Sequence, residues 1–307
     1  MKYVIILLFL PLIILLLFKN SWMHCLKCKA KTEPFSDTDD IFVPKYSKIP
    51  NVIWTFWEGQ ESELITKCIG SWKKYNPEYK VIVLNKKNLA EYLPGVVIDE
   101  IPHTGDFIQR YSDFVRVNAL KTYGGIWMDA SIICQKPLMW IHDIQNKSGA
   151  DFIAYYRDGF TLPEYKQSAP IIENWFFACV KRSQYVVDWY DEMLRFSKTE
   201  KTENYLDGLL AENVSFQNVP PERYDYLVMY IIASAILQKK KRDYKVYLLK
   251  ADDTALRHWI MHGFDHVKGA KELVEKNGDH RNEPLIKIVG VVRNELLKDS
   301  NAPRVLF

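Results

Sequence analysis

Asp113, Arg116 and Asp129 are the residues whose types and spacing suit binding and neutralising an anionic group. Asp129 lies in the run Tyr123-Gly124-Gly125-Ile126-Trp127-Met128-Asp129-Ala130-Ser131, where a glycine turn leads into a short apolar strand. A carboxylate at the C-terminal edge of a strand in an open α/β sheet lies where ligands of such sheets gather. It offers a hard oxygen to a divalent cation, and a cation held there neutralises a diphosphate. Ser131 adds a hydroxyl two residues further on but no charge.

The elements around these residues decide whether they meet. Asp106 to Tyr123 reads as a helix that feeds the Gly124-Gly125 turn and a strand over Ile126 to Met128. On a 3.6-residue period Gln109, Asp113 and Arg116 share one face, while Phe107, Ile108, Tyr111, Phe114 and Val115 form an apolar stripe for packing. Each part alone has a plainer reading. An aspartate after a strand is more often a turn former or helix cap. An Asp and Arg pair at helical spacing is more often a surface ion pair worth ~0.3 kcal/mol.

Around this segment the chain alternates strand and helix. Val52 to Trp57 is a β-branched and aromatic run ended by Glu58-Gly59, as a buried strand would be. A helix over Ser62 to Tyr75 stops at Asn76-Pro77, a strand follows over Tyr79 to Leu84, and Lys86 to Tyr92 reads as a short helix. Asp151 to Tyr155, Asn174 to Val180 and Lys245 to Leu249 read as later strands, with helices over Gln184 to Phe196 and Glu222 to Gln238. The alternation predicts an α/β sheet with parallel crossovers.

With 48% apolar and 26% charged residues the chain is globular in composition. A net charge of +3 without a basic stripe of interleaved aromatics argues against nucleic acid as a partner. Lys239-Lys240-Lys241-Arg242 reads as a solvated helix C-terminus. Tyr3 to Phe18 carries no charge and would span ~24 Å as a helix, a little short of a bilayer core. It reads as a single-pass membrane anchor, a cleaved signal peptide being the rival. The expected organisation is an anchor over 1–23, a stem over 24–48 and a catalytic domain over 49–307. Lys19, Lys27, Lys29 and Lys31 after the span favour a cytosolic domain. The sequons Asn146-Lys147-Ser148 and Asn213-Val214-Ser215 matter only on the Golgi or ER lumenal side. Cys68, Cys134 and Cys179 read as buried free thiols, and Cys25 and Cys28 as a juxtamembrane pair.

The order Ser112-Asp113, Arg116, Gly124-Gly125, Trp127, Asp129 and Ser131, with thirteen residues from the arginine to the aspartate, resembles the sugar-transferase group with a DXD motif. Within it the chain is most similar to the capsular polysaccharide synthesis glycosyltransferases, relatives of the initiating mannosyltransferases and the clostridial glucosylating toxins. The resemblance covers residues 49 to 140 well and the rest loosely, through Asn174-Trp175-Phe176. It implies a GT-A-type nucleotide-diphospho-sugar transferase fold, with a Rossmann-like mixed sheet flanked by helices. It also implies a nucleotide-diphospho-sugar donor, a glycan or polysaccharide acceptor, a Mn²⁺ or Mg²⁺ ion and retention of anomeric configuration. By the same resemblance Ile53, Trp54 and Thr55 line the nucleotide pocket, with Trp127 and Met128 beside the sugar. Asp113 and Arg116 hold the sugar and diphosphate, and Asp129, Ser131 and His262 ligate the metal, with His258 as an alternative. Ser131 departs from the pattern, since relatives commonly carry a second aspartate there.

No phosphate loop, zinc-protease motif or serine-hydrolase elbow is present in the sequence. Two other readings stay open: a degenerate protein that binds sugar nucleotides or glycans without turnover, and a sugar-phosphate transferase.

Overall fold

The computed structural model describes residues 47–240, 242–276 and 282–307. The expected anchor, nearly all of the stem and the Cys25 and Cys28 pair lie outside the described residues. Among those described, no helix is long and apolar enough to cross a membrane.

The strands are β1 (Val52–Phe56), β2 (Lys80–Leu84), β3 (Gly125–Met128), β4 (Ile132–Cys134), β5 (Phe152–Arg157), β6 (Ile171–Cys179), β7 (Val246–Lys250) and β8 (Leu285–Lys287). Six of them form one sheet in the order β2-β1-β3-β6-β5-β7, and β4 pairs with β8 apart from it. β1 runs parallel to β2 and β3, and β5 parallel to β7, but β6 runs antiparallel to both its neighbours. The sheet is therefore mixed rather than wholly parallel. Reversing β6 carries its early residues, Glu173 and Asn174, past the C-terminal end of β3.

The sheet is covered on both faces because its strands are apolar at successive positions. Ile53, Ile126, Ile153 and Ala178 pack on one side with Ile65, Ile69 and Trp72 of helix α1 (Glu63–Tyr75). Trp54, Trp127, Phe152 and Phe177 pack on the other, against helices α2 (Ile108–Tyr123), α3 (Gln184–Ser197) and α4 (Tyr224–Gln238). The period of two sends adjacent residues to opposite layers, and each large apolar side chain so buried contributes about 1.5–3 kcal/mol. α1 begins at Ser62, whose hydroxyl accepts from the Ile65 amide, and ends with Lys73 and Lys74 complementing the helix dipole.

The glycine pair is demanded by the backbone. Gly124 ends α2 at φ 68° and donates its amide to the Leu120 carbonyl, and Gly125 follows at φ 101°. A Cβ on Gly124 would lie 2.5 Å from the Lys181 amide nitrogen, and one on Gly125 would lie 2.6 Å from the Val52 carbonyl oxygen. Only glycine tolerates both the dihedrals and these approaches.

The strands and long helices named from the sequence are present, with ends displaced by a few residues. β4 and β8 were not anticipated, being three residues each. Cys68, Cys134 and Cys179 are free and buried, as expected. The basic tract is partly corrected: Lys239 is not solvated but pairs with Glu192 at 2.9 Å and Glu212 at 2.6 Å.

Candidate active site

α2 turns Gln109, Asp113 and Arg116 onto one wall of a cleft of about 420 Å³, and Asp129 reaches it from the end of β3. The polar stripe read from helical periodicity is therefore the site-facing stripe. It faces inward: Asp113 and Arg116 are each 5% exposed. Buried charges persist only when paired. The Arg116 guanidinium lies 3.3 Å from Asp113 Oδ1 and 3.4 Å from Asp129 Oδ1, and donates to the Asn174 carbonyl at 2.7 Å. Asn174 Nδ2 in turn donates to Asp113 Oδ1 at 2.8 Å. Asn174 thus ties the first wall to β6.

Trp127 is a positioning residue. Its indole Nε1 donates to Asp129 Oδ1 at 3.0 Å, and the Arg116 guanidinium sits 5.3 Å from its ring centroid. The ring is buried, so it orients the two charged groups from below rather than offering a surface to a ligand.

The other oxygen of Asp129 meets an unanticipated partner. Lys287 Nζ lies 2.7 Å from Asp129 Oδ2 and 3.2 Å from Ser131 Oγ. Lys287 comes from β8, whose antiparallel pairing sets it opposite Ile132 of β4. Nothing near Asp129 in the sequence announces it, since the two are 158 positions apart. The β-branched run Ile286-Lys287-Ile288-Val289 after Pro284 was the signal that would have found the strand, though not its partner.

Electrostatics separate the two aspartates. Burial pushes the Asp113 carboxyl up to about 6 despite Arg116 and Arg110 nearby. Burial also opposes charge on Asp129, but Lys287 and Arg116 outweigh it and hold that carboxyl below the usual range. A further buried acid faces the cleft: burial pushes Glu173 up to about 7, with Arg157 only partly offsetting it. Glu173 and Arg157 escaped the sequence reading because the strands read there, Asp151 to Tyr155 and Asn174 to Val180, stop short of both, whereas the observed strands include them.

The other expected site residues do not all converge. Ile53 and Met128 are fully buried in the layer against α1, and Trp54 donates its indole to the Gly124 carbonyl and stacks on Tyr123. Thr55 is buried, with its hydroxyl lacking a partner among the described residues. These four build the sheet behind the cleft and are not among its lining side chains. His262 also lies outside the lining, with Nε2 3.5 Å from Glu272 Oε2, and His258 is buried.

A family model described as "Capsular polysaccharide synthesis protein" matches residues 17–212. The chain belongs to the capsular polysaccharide synthesis family. This agrees with the resemblance drawn from Ser112-Asp113, Arg116 and the Gly124-to-Ser131 run. No curated protein matches the chain. Among solved structures it is similar to a chain titled "PaToxG Glycosyltransferase", at 14% identity and TM-score 0.36, covering 84% of this chain and 86% of that one. It is also similar to the ligand-free glycosyltransferase domain from the YGT toxin, at 9% identity and TM-score 0.40, covering 82% and 90%.

The donor set of this family member does not fit a resident divalent ion. Such an ion takes about six hard oxygen ligands, one or two of them carboxylates and the rest waters and substrate phosphates. Here the two oxygens expected to hold it, Asp129 Oδ2 and Ser131 Oγ, both turn to the Lys287 ammonium. Asp129 Oδ1 is taken by Trp127 and Arg116, and His262 is not brought in. Among the described residues no group of three or more His, Cys, Asp or Glu side chains is arranged as a ligand set.

Proposed function

We propose that this family member is a glycosyltransferase with a GT-A-type arrangement, moving a hexosyl group from a nucleotide-diphospho-sugar to a glycan or polysaccharide acceptor. The observation that carries the reading is the meeting of Asp113, Arg116 and Asp129 in one cleft, although they come from a helix and a strand separated by a glycine turn. Membership of a family described by polysaccharide synthesis supports it. Asp113, fixed by Asn174, accepts hydrogen bonds from the donor sugar hydroxyls. Arg116 faces the diphosphate and stabilises the charge that gathers on it as the sugar departs.

In the transfer the acceptor oxygen bonds to the anomeric carbon, with retention of configuration. The bond from that carbon to the phosphate oxygen breaks, its electron pair stays on the nucleoside diphosphate, and the acceptor proton passes to water. Single-pass attachment to a membrane through residues 1–23 belongs to the same proposal.

A panel of nucleotide sugars assayed for release of free nucleotide tests it. The expected outcome is nucleoside diphosphate from at least one donor, reduced about 100-fold or more in Arg116→Ala. Release of nucleoside monophosphate supports a sugar-phosphate transferase instead. Tight donor binding without release supports a protein that binds but does not turn over.

A further inference from the structure

We infer that Lys287 stands in for the divalent cation, so that donor diphosphate is held and neutralised at this site by an ammonium and a guanidinium without a metal. The inference rests on the glycosyltransferase reading and concerns how that site handles charge. Its basis is where the Lys287 nitrogen sits: bonded to Asp129 Oδ2 and Ser131 Oγ, the two oxygens a metal would need. An ion bound to those oxygens would have to displace the ammonium or share its place.

The lysine is built in rather than swung in. β8 pairs with β4 through Ile132 opposite Lys287, the Lys287 amide donates to the Ala255 carbonyl at 2.9 Å, and the Ile288 amide donates to the Ser131 carbonyl at 3.0 Å. Ser131 is thereby tied to the strand that carries Lys287 by backbone as well as by side chain. Lys287 is 8% exposed, and it lines the same cleft as Arg116. Both cations bond to Asp129, one through each carboxylate oxygen, so the aspartate spaces two positive charges side by side.

An ammonium has three donors. Asp129 and Ser131 take two, leaving one for a phosphate oxygen in the cleft. The serine also becomes explicable: a second carboxylate would help a metal, whereas a hydroxyl accepts from a lysine without cancelling its charge. Asp129, on this account, positions Lys287 and Arg116 instead of ligating an ion.

Titration calorimetry of the whole protein with UDP and GDP, once in excess EDTA and once in MnCl₂, tests the inference, with manganese binding followed separately by electron paramagnetic resonance. The expected result is that the nucleotide that binds does so with an affinity within about twofold in the two buffers, and that the protein alone takes up no Mn²⁺. Lys287→Met should weaken that nucleotide about 10-fold or more in EDTA, the loss of one charge-assisted hydrogen bond, while Lys287→Arg keeps most of the affinity. Thermal melting checks that each variant is folded, and if Lys287→Met is not, the comparison of buffers on the wild type decides alone. Nucleotide binding that needs Mn²⁺ overturns the inference and leaves the glycosyltransferase reading standing. No binding of either nucleotide in either buffer, with no turnover of any sugar nucleotide, overturns both.

Discussion

Trp127 in β3 and Asp129 just past its end lie two residues apart, and the indole of the first donates to the carboxylate of the second at 3.0 Å. A strand's period of two makes that bond available, and the buried ring makes it rigid. Trp127→Phe keeps an aromatic in the layer but removes the donor. The variant should lose about 1.5–3 kcal/mol of stability in urea melts, the value of a hydrogen bond to a charged group, and release nucleotide from its donor about 10-fold more slowly. Unchanged turnover would show that Asp129 needs no orientation from below.

Asp129 and Lys287 should be strongly coupled. Asp129→Asn leaves a buried ammonium with a weakened partner and should cost about 3 kcal/mol or more. Asp129→Asn combined with Lys287→Met removes both charges and should be more stable than the sum of the single losses predicts, by about 1–3 kcal/mol. Denaturant unfolding of the four proteins in one buffer measures this. Additive losses would mean the pair does not act as a unit.

Two buried acids make stability fall as pH rises. Burial raises Asp113 to about 6 and Glu173 to about 7 in the folded protein, from ordinary values of 3.8 and 4.5. The folded state therefore binds more protons than the unfolded state between roughly pH 4 and 7, and stability declines across that window. Asp113→Asn and Glu173→Gln should each flatten the decline, the gain over wild type being larger at pH 7.5 than at pH 4.5. Unfolding curves at intervals between these limits check it, and a decline of unchanged slope in both variants would count against these two groups as its source.

The glycine turn should not tolerate a methyl group. Gly125→Ala places a Cβ 2.6 Å from a backbone oxygen at a φ of 101°, and neither can shift cheaply inside the sheet. A loss of about 3 kcal/mol or more is expected, since backbone strain and a steric overlap add. Gly149 has a positive φ but open space around its Cβ, so Gly149→Ala should cost about 1 kcal/mol. Thermal melts of the two variants compare them directly.

The sequence exposed what is local. Asp113 and Arg116 were legible because a helix puts i and i+3 on one face, and the turn because two adjacent glycines announce dihedrals other residues avoid. Lys287, Glu173 and Arg157 were not, for opposite reasons. Lys287 reaches the site through a strand pairing that closes 158 positions of chain, and pairing between distant strands leaves no periodic trace in either one. Glu173 and Arg157 fell outside the strands read from the sequence, because a charge at the end of an apolar run looks like the point where the strand stops. Asp129 was offered to a cation from its place at the strand end, Ser131 and His262 by resemblance, and in the structure an ammonium sits between the Asp129 and Ser131 oxygens.

The reversed direction of β6 has a consequence for assembly. Its last residue, Cys179, pairs with Gly125, and just beyond it Lys181 approaches Gly124. Near its start, Trp175 accepts the Asp129 amide and Asn174 holds Asp113. A chain that threads this strand one residue out of step would lose the bond to Asp113 at one end and drive backbone into the glycine corner at the other. The strand thus works as a vernier scale, readable at two marks, and a molecule that has aligned one has already proofread the other.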